Sequence, residues 1–408
     1  MKLLMVSTLN LSKQNGGKVH FTSLAKGFRA QGHQVHAILP TTGDEVGDRA
    51  IAQQHFHHVT FTSTVLSRLI PFSKTSVNSL LQIAAALRAN PKDYDWVYFR
   101  ATPLSLFVLK ALQLRGFKKI FVEHNGWFAD ELVMMGVPAW GKGVLETLQT
   151  TEAQQATRLR VVVPGIQEKL LAKATRPKAL DDKLVVIGNG ADVEHYRPLD
   201  RESAIATLGL PSSRFYLGFI GDLDPWQGVE IAIQATTKIR EYFSNTSPNA
   251  NPNASPDVEI LIVGSGRQLE NLTATYGHLP YVHFLGSVPY DQSSTYINGF
   301  DLALLPKQGL SGIGYSPIKL YTYAATGRTI LASRIRGIEE YGGPDGFLTL
   351  HQPSDPQDLA TQACQLITDP EKRQKNAHLA RQYAETHFSW QLVADKITHT
   401  MQAYDATP

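Results

Sequence analysis

Gly312-Ile313-Gly314-Tyr315-Ser316-Pro317-Ile318-Lys319-Leu320-Tyr321-Thr322-Tyr323-Ala324-Ala325-Thr326-Gly327 stands between two short apolar runs, Leu302-Ala303-Leu304-Leu305-Pro306 and Thr329-Ile330-Leu331-Ala332-Ser333. Each run has the length and unbroken apolar character of a strand buried on both faces. The stretch between them reads as a glycine-rich loop followed by a helix. Ser316 suits the N-cap, Pro317 the first helical position, and Gly327 the left-handed residue after the last turn. Strand, loop, helix and strand in that order form a crossover between parallel strands, which sets the fold class as α/β. A loop feeding a helix N-terminus also leaves backbone N–H groups free beside a positive partial charge. Lys319, in the first turn, adds a full charge. A phosphate seat and a plain crossover both satisfy these residues.

The same alternation runs outward on either side. Upstream, Phe215 to Ile220 reads as a strand, Gly221 to Gly228 as its loop and Val229 to Phe243 as a helix. Asn245 to Asp257, dominated by Asn, Ser and Pro, reads as a disordered loop. Val258 to Val263 is a strand that leads into Gly264-Ser265-Gly266-Arg267 and a helix, and Val282 to Leu285 is the next strand. Downstream, Gly346 to Leu350 is a strand, and helices follow at Pro356 to Ile367, Glu371 to Thr386 and Trp390 to Tyr404. The first half has the same plan. Lys2 to Thr8, Gln34 to Leu39, Trp96 to Phe99, Ile120 to Val122, Val161 to Val163 and Leu184 to Ile187 are its strands. The polar loop Asn10 to Lys18 carries Gly16 and Gly17, where a close ligand approach and an ordinary turn are both open. Residues 60 to 90 interleave Phe61, Val65, Leu66, Leu69, Ile70 and Phe72 with Arg68 and Lys74 before a helix at Val77 to Leu87. That pattern fits a helical cover on the sheet, or a basic, apolar membrane-surface or acceptor-side element.

Ligands of open parallel sheets bind at the carboxyl ends of the strands. By position, Arg100 after Phe99, and Glu123, His124 and Asn125 after Val122, are therefore candidates. An ion pair for Arg100 and a satisfied structural role for His124 are the competing readings. The polar, turn-rich stretch from Gly188-Asn189-Gly190-Ala191-Asp192 to Pro211 marks a boundary. The expected domains are 1–200, 201–388 and a terminal helix, 389–408.

At 408 residues with a formal charge of +3, the chain fits two α/β domains and gives no argument for nucleic acid. Cys364 is the single cysteine, which excludes an internal disulfide and a cysteine-type zinc site and favours a reducing compartment. None of the 14 histidines has a convincing ligand spacing with a carboxylate, so no metal is expected. The N-terminus does not read as a signal peptide, and no run is long enough to span a bilayer. The expected location is cytoplasmic, with peripheral membrane contact open. The absence of G-x-G-x-x-G argues against a nicotinamide dehydrogenase.

Taken together, the motifs resemble the GT-B glycosyltransferases of the large retaining, metal-independent group (group 1, family 4). They are Gly16-Gly17, Gly32-His33-Gln34-Val35, Gly188-Asn189-Gly190-Ala191-Asp192 with Pro198, and Gly221 with Trp226-Gln227-Gly228-Val229. Val263-Gly264-Ser265-Gly266, Phe284-Leu285-Gly286, Ser316-Pro317-Ile318-Lys319-Leu320-Tyr321 and Phe388-Ser389-Trp390 complete the set. Each is loose alone; their order and spacing are specific. The resemblance implies two Rossmann-like doubly wound domains facing across a cleft, with the terminal helix returning to the first domain. It implies a nucleotide-diphosphate sugar as donor substrate, no cofactor, and a sugar, lipid or small-molecule acceptor. His124 takes the place of the cleft histidine, in the catalytic role, with Glu123 and Asn125 on the acceptor side. The donor would be held by Gly16, Gly17, Arg100, Gln227, Gly264, Gly266, Arg267, Gly314, Ser316, Lys319 and Thr322.

The chain departs from the family at four charges. The Glu-x7-Glu pair falls on Gly314 and Thr322, and the diphosphate-binding Arg and Lys fall on Asp222 and Gln227. Lys319, Arg267 and Arg100 are the candidate replacements for the lost positive charge. A metal-independent hexosyl transfer is the leading expectation. The rivals are a catalytically impaired relative that serves as a binding or assembly partner, and a sugar-nucleotide epimerase on the same fold.

Overall fold

The computed structural model describes residues 1–11, 16–41, 44–62, 82–134, 138–246, 256–308, 314–343 and 345–407. Most of the 60–90 interleaved stretch, most of the Asn- and Ser-rich loop, and Gly312 and Ile313 lie outside these residues. The chain divides into two compact units. One comprises Gly17–Gly188 with the first strand and Trp390–Pro408; the other comprises Asn189–Ser389.

The first unit is built on seven parallel strands: β1 (Lys2–Val6), β2 (Gln34–Pro40), β3 (His58–Thr62), β4 (Trp96–Arg100), β5 (Ile120–His124), β6 (Arg158–Val161) and β7 (Leu184–Val186). They lie in the order β3-β2-β1-β4-β5-β6-β7. The order reverses between β1 and β4, so crossovers to either side of that point lie on opposite faces of the sheet. The helix Gly16–Ala30 covers one face with Phe21, Leu24, Ala25 and Phe28. The helix Ser105–Arg115 covers the other with Val108, Leu109, Ala111 and Leu112. The terminal helix Trp390–Asp405 buries Trp390, Val393, Ala394, Ile397 and Met401. It docks through Trp96 Nε1, which donates to Asp405 at 3.1 Å, and through a Lys119–Asp405 ion pair at 2.7 Å.

The second unit has six parallel strands: β8 (Phe215–Ile220), β9 (Val258–Val263), β10 (Val282–Gly286), β11 (Leu302–Leu305), β12 (Ile330–Ser333) and β13 (Leu348–His351). Their order is β10-β9-β8-β11-β12-β13, with the reversal between β8 and β11. Alternate strand residues feed two apolar layers. Leu305, Ala332, Leu320 and Tyr323 pack on one face, and Leu304, Leu331, Ile233 and Leu359 on the other.

Several boundaries differ from the sequence reading. β6 starts at Arg158, before the apolar triplet Val161 to Val163, because its charged Arg160 is buried by pairing inside the unit. β5 continues through Glu123 and His124, which are therefore strand residues aimed at opposite faces. Gly16 and Gly17 open a helix instead of lying in the loop before it. The Ile318–Ala325 helix begins one residue later than expected, with Pro317 at the cap position. Ser316 does not cap it, because its Oγ accepts from the Asn189 N–H at 3.0 Å and pairs with the Tyr321 hydroxyl at 2.6 Å. Gly327, at φ 61°, does occupy the left-handed position after the helix.

Candidate functional site

The switch point of the second unit lies between the carboxyl ends of β8 and β11, and both ends carry loops of special geometry. After β9, Gly264 adopts φ 135°, and a Cβ there would collide with the Gly221 carbonyl. Gly266 lies against the Leu223 backbone in the same way. The two loops are then laced together: Leu223 N–H donates to Ser265 O at 2.8 Å and Gln268 N–H to Leu223 O at 3.0 Å. These glycines are thus explained by loop-on-loop packing, whatever ligand lies beyond. Gly264→Ala is expected to cost about 1–3 kcal/mol of stability, read by denaturant unfolding, because it brings both a disfavoured φ and a backbone clash.

Arg267 does not stand free at the end of this loop. Its Nε donates to Asp224 at 2.9 Å and its guanidinium lies 5.2 Å from the Trp226 ring. Gln227 is buried, and its Oε1 has no hydrogen-bond partner. Lys319 differs from Arg267. Its ammonium lies 5.0 Å from the Phe219 ring and so close to Gly221 that a Cβ there would come within 2.5 Å of it. Among the described residues no carboxylate stands within ion-pair distance of it. Burial pulls its pKa down to about 8, against the raising fields of Asp222 and Asp224. An ammonium held by a ring face at the mouth of the switch point is arranged to receive an anion.

Three further expected donor contacts have other employment. Thr322 is buried and its hydroxyl donates to Lys319 O at 3.0 Å, so it presents nothing in place of a carboxylate. Gly314, at φ 91°, presses on the Arg336 carbonyl, where a Cβ would approach to 2.6 Å. Ser316 is the partner of Asn189, whose Nδ2 also donates to Ser316 O at 2.8 Å. The sequence reading missed Lys307, which is buried just past β11 with its ammonium 4.3 Å from the Tyr315 ring. Its position two residues after an apolar strand was the available signal.

In the first unit, Glu123 and Asn125, expected on the acceptor side, are brought together, but their contacts are with each other and with neighbouring side chains of the unit. Glu123 is 0% exposed. It receives His20 Nε2 at 2.9 Å and Arg160 at 2.6 Å, and it is also bonded by the Tyr98 hydroxyl and Asn125 Nδ2. Arg100 approaches to 3.8 Å, and its Nε finds no hydrogen-bond partner. Burial alone would raise the Glu123 pKa, but the His20 and Arg160 contacts hold it well below the usual carboxylate range. Burial lowers His20 to about 4, so its imidazole is neutral at pH 7 and donates from Nε2. Arg160 also donates to Ile187 O at 2.9 Å and Gly188 O at 2.7 Å, and His20 lies 4.9 Å from the Trp390 ring. Glu123, Arg100 and Asn125 therefore belong to one internal charge node. His20 and Arg160 were missed: the first sits one turn ahead of Leu24 on the apolar face of its helix, the second inside a strand.

His124 is also 0% exposed. Its Nε2 meets Glu152 at 3.0 Å, and Gln149 Nε2 donates to its Nδ1 at 3.3 Å. Both ring nitrogens are engaged inside the unit, by Glu152 and by Gln149. Among the described residues, no three His, Cys, Asp or Glu side chains converge as a metal-ligand set.

Comparison with known proteins accounts for both units. Residues 14–195 match the family described as Glycosyltransferase Family 4, and residues 214–369 match Glycosyl transferases group 1. The chain thus resembles the GT-B glycosyltransferases in both halves and carries their two-Rossmann fold. The D-inositol 3-phosphate glycosyltransferase of Corynebacterium urealyticum is 27% identical over 241 residues, 55% of this chain and 52% of that protein. The chain spans about half to two thirds of the length of the first curated relatives it matches. Among solved structures, sucrose-phosphate synthase from Thermosynechococcus elongatus superposes with a TM-score of 0.79 at 16% identity, covering 100% of both chains. Anabaena HepE in complex with UDP and glucose gives 0.73 at 18% identity, covering 99% of this chain and 100% of that one.

Proposed function

We propose that the protein transfers a glycosyl group from a nucleotide-diphosphate sugar to a sugar, lipid or small-molecule acceptor, without a metal and with retention of configuration. The second unit binds the donor and the first contributes the acceptor side. The observation that carries this reading is the ammonium of Lys319, unpaired among the described residues and placed at the β8 end of the switch point. Lys319 lies in the first turn of the Ile318–Ala325 helix, whose N-terminus adds a positive partial charge to that of the ammonium. In the reaction the bond between the anomeric carbon and the diphosphate breaks as the acceptor hydroxyl oxygen bonds to that carbon. The hydroxyl proton passes to the departing diphosphate. Negative charge develops on the leaving group, so a fixed cation there lowers the barrier. The HepE complex with UDP and glucose supports a donor of this class.

Thermal-shift titration with UDP, GDP and ADP tests the donor, because a ligand that binds only the folded state raises its melting temperature. The expected result is a saturable rise with at least one diphosphate and a smaller one with its nucleoside. Transfer from the matching nucleotide sugar is expected to survive chelation by EDTA; loss restored by a divalent metal would overturn metal independence.

The loss of both carboxylates at Gly314 and Thr322 favours a second reading, a relative that binds nucleotide without transferring sugar. Diphosphate binding with no transfer to any acceptor, and no epimerised nucleotide sugar on incubation, would select it.

A further inference from the structure

The helix Ser105–Arg115 is apolar on its outer side as well as its inner one. Val108, Leu109, Ala111 and Leu112 face the sheet, while Phe107 and Leu114, at the same helical face as Lys110, point to solvent. Leu114 is 85% exposed. Such a helix is ordinarily covered on both sides. The neighbouring helix Lys142–Gln155 packs against it and belongs to the next crossover in the same direction, hence to the same face of the sheet. At its start Trp140 is 84% exposed and Val144, four residues on, 60%. Leu87 joins the same side, its carbonyl accepting from Arg115 Nε at 3.0 Å.

The charge on this face is one-sided. From Arg100 to Val122 the sequence has no acidic residue, and Lys110, Arg115 and Lys118 are exposed there, as is Arg88 on the adjoining helical segment. On the neighbouring helices Asp130 pairs with Lys142 and Lys169, and Glu146 with Lys173, while Glu131 and Glu168 are exposed among these lysines. Exposed Trp and Leu among lysines and arginines form the composition of an interfacial, anion-seeking surface. A second copy of the chain is a poor cover, since a two-fold contact would set these cations against their own copies. Among the described residues no helix is long and apolar enough to cross a membrane.

We infer that this face of the first unit rests on an anionic lipid surface, with Trp140, Leu114 and Phe107 at headgroup depth and Lys110, Arg115 and Lys118 against lipid phosphates. The inference is independent of the proposed transfer reaction.

The test is co-sedimentation of the full chain with vesicles of phosphatidylcholine, alone or with phosphatidylglycerol. Trp96, Trp127 and Trp390 are buried and Trp226 is half-buried in the second unit, so the part of a blue shift in tryptophan emission that Trp140→Phe abolishes reports Trp140. Binding to the mixed vesicles, weakened by salt and accompanied by that shift, is expected. The double variant Leu114→Ser, Trp140→Ser should bind at least about tenfold more weakly. Lys110→Glu and Arg115→Glu should each weaken binding about fivefold. These positions are exposed, and unchanged melting temperatures will establish that the variants fold. No binding to anionic vesicles, equal binding to neutral ones, or full binding by the double variant would overturn the inference. So would a wild-type dimer in light scattering that Leu114→Ser dissociates, because a second copy would then be the cover.

Discussion

Glu123→Gln is expected to cost about 3–5 kcal/mol of folding stability, because it strands a fully buried guanidinium. Arg160 keeps its bonds to Ile187 O and Gly188 O but loses its charge partner, as does Arg100, and His20 is left donating to a neutral amide in place of a carboxylate. Urea unfolding followed by far-ultraviolet circular dichroism measures the change; a loss below about 1 kcal/mol would refute the charge node. The same node sets an acid limit. The folded-state pKa values of Glu123 and His20 both lie below their ordinary values, so the folded state resists protonation at either group. For His20 the stabilising contribution is complete above its unfolded value near 6.5 and is lost progressively as pH falls towards about 4. For Glu123 the loss continues below the ordinary carboxylate range. Stability should therefore decline on acidification from about pH 6.5, and His20→Gln should reduce the slope between pH 6.5 and 4.

Lys319→Met should weaken nucleoside diphosphate binding by roughly ten- to hundredfold, the equivalent of one charge-assisted contact of about 1.5–3 kcal/mol. Nucleoside binding should change little, since the ammonium would meet the diphosphate and not the base. Isothermal titration with the diphosphate found by thermal shift gives the comparison. With its pKa drawn down to about 8, Lys319 is mostly charged at pH 7 and discharges over the next pH units. Wild-type affinity should therefore fall as pH rises above about 8, and the variant should lack that fall. If Lys319→Met binds as well as wild type, the charge comes from elsewhere. Lys307, buried just past β11 at the switch point, is then the next residue to substitute.

Much of the fold is a local property of the chain. Phe215 to Ile220 is a continuous apolar run and Val258 to Val263 is apolar but for Glu259, as strands buried on both faces are, and both are strands as read. Gly327 after the Ile318–Ala325 helix follows from the same local chemistry. The terminal helix beginning at Trp390 was equally legible. What lay beyond the sequence was the partner of each polar group. Glu123 and His124 look alike as a polar pair after an apolar run. The two-residue period of the strand sends one to His20 and Arg160 and the other to Glu152 and Gln149, from distant segments. Ser316 has the composition of a cap, but the backbone of Asn189, 127 residues away, claims its hydroxyl first. A local pattern specifies which conformation a segment prefers. Whether a carboxylate, imidazole or ammonium is spent inside the protein or left for a ligand depends on contacts that only the tertiary fold brings within hydrogen-bond range.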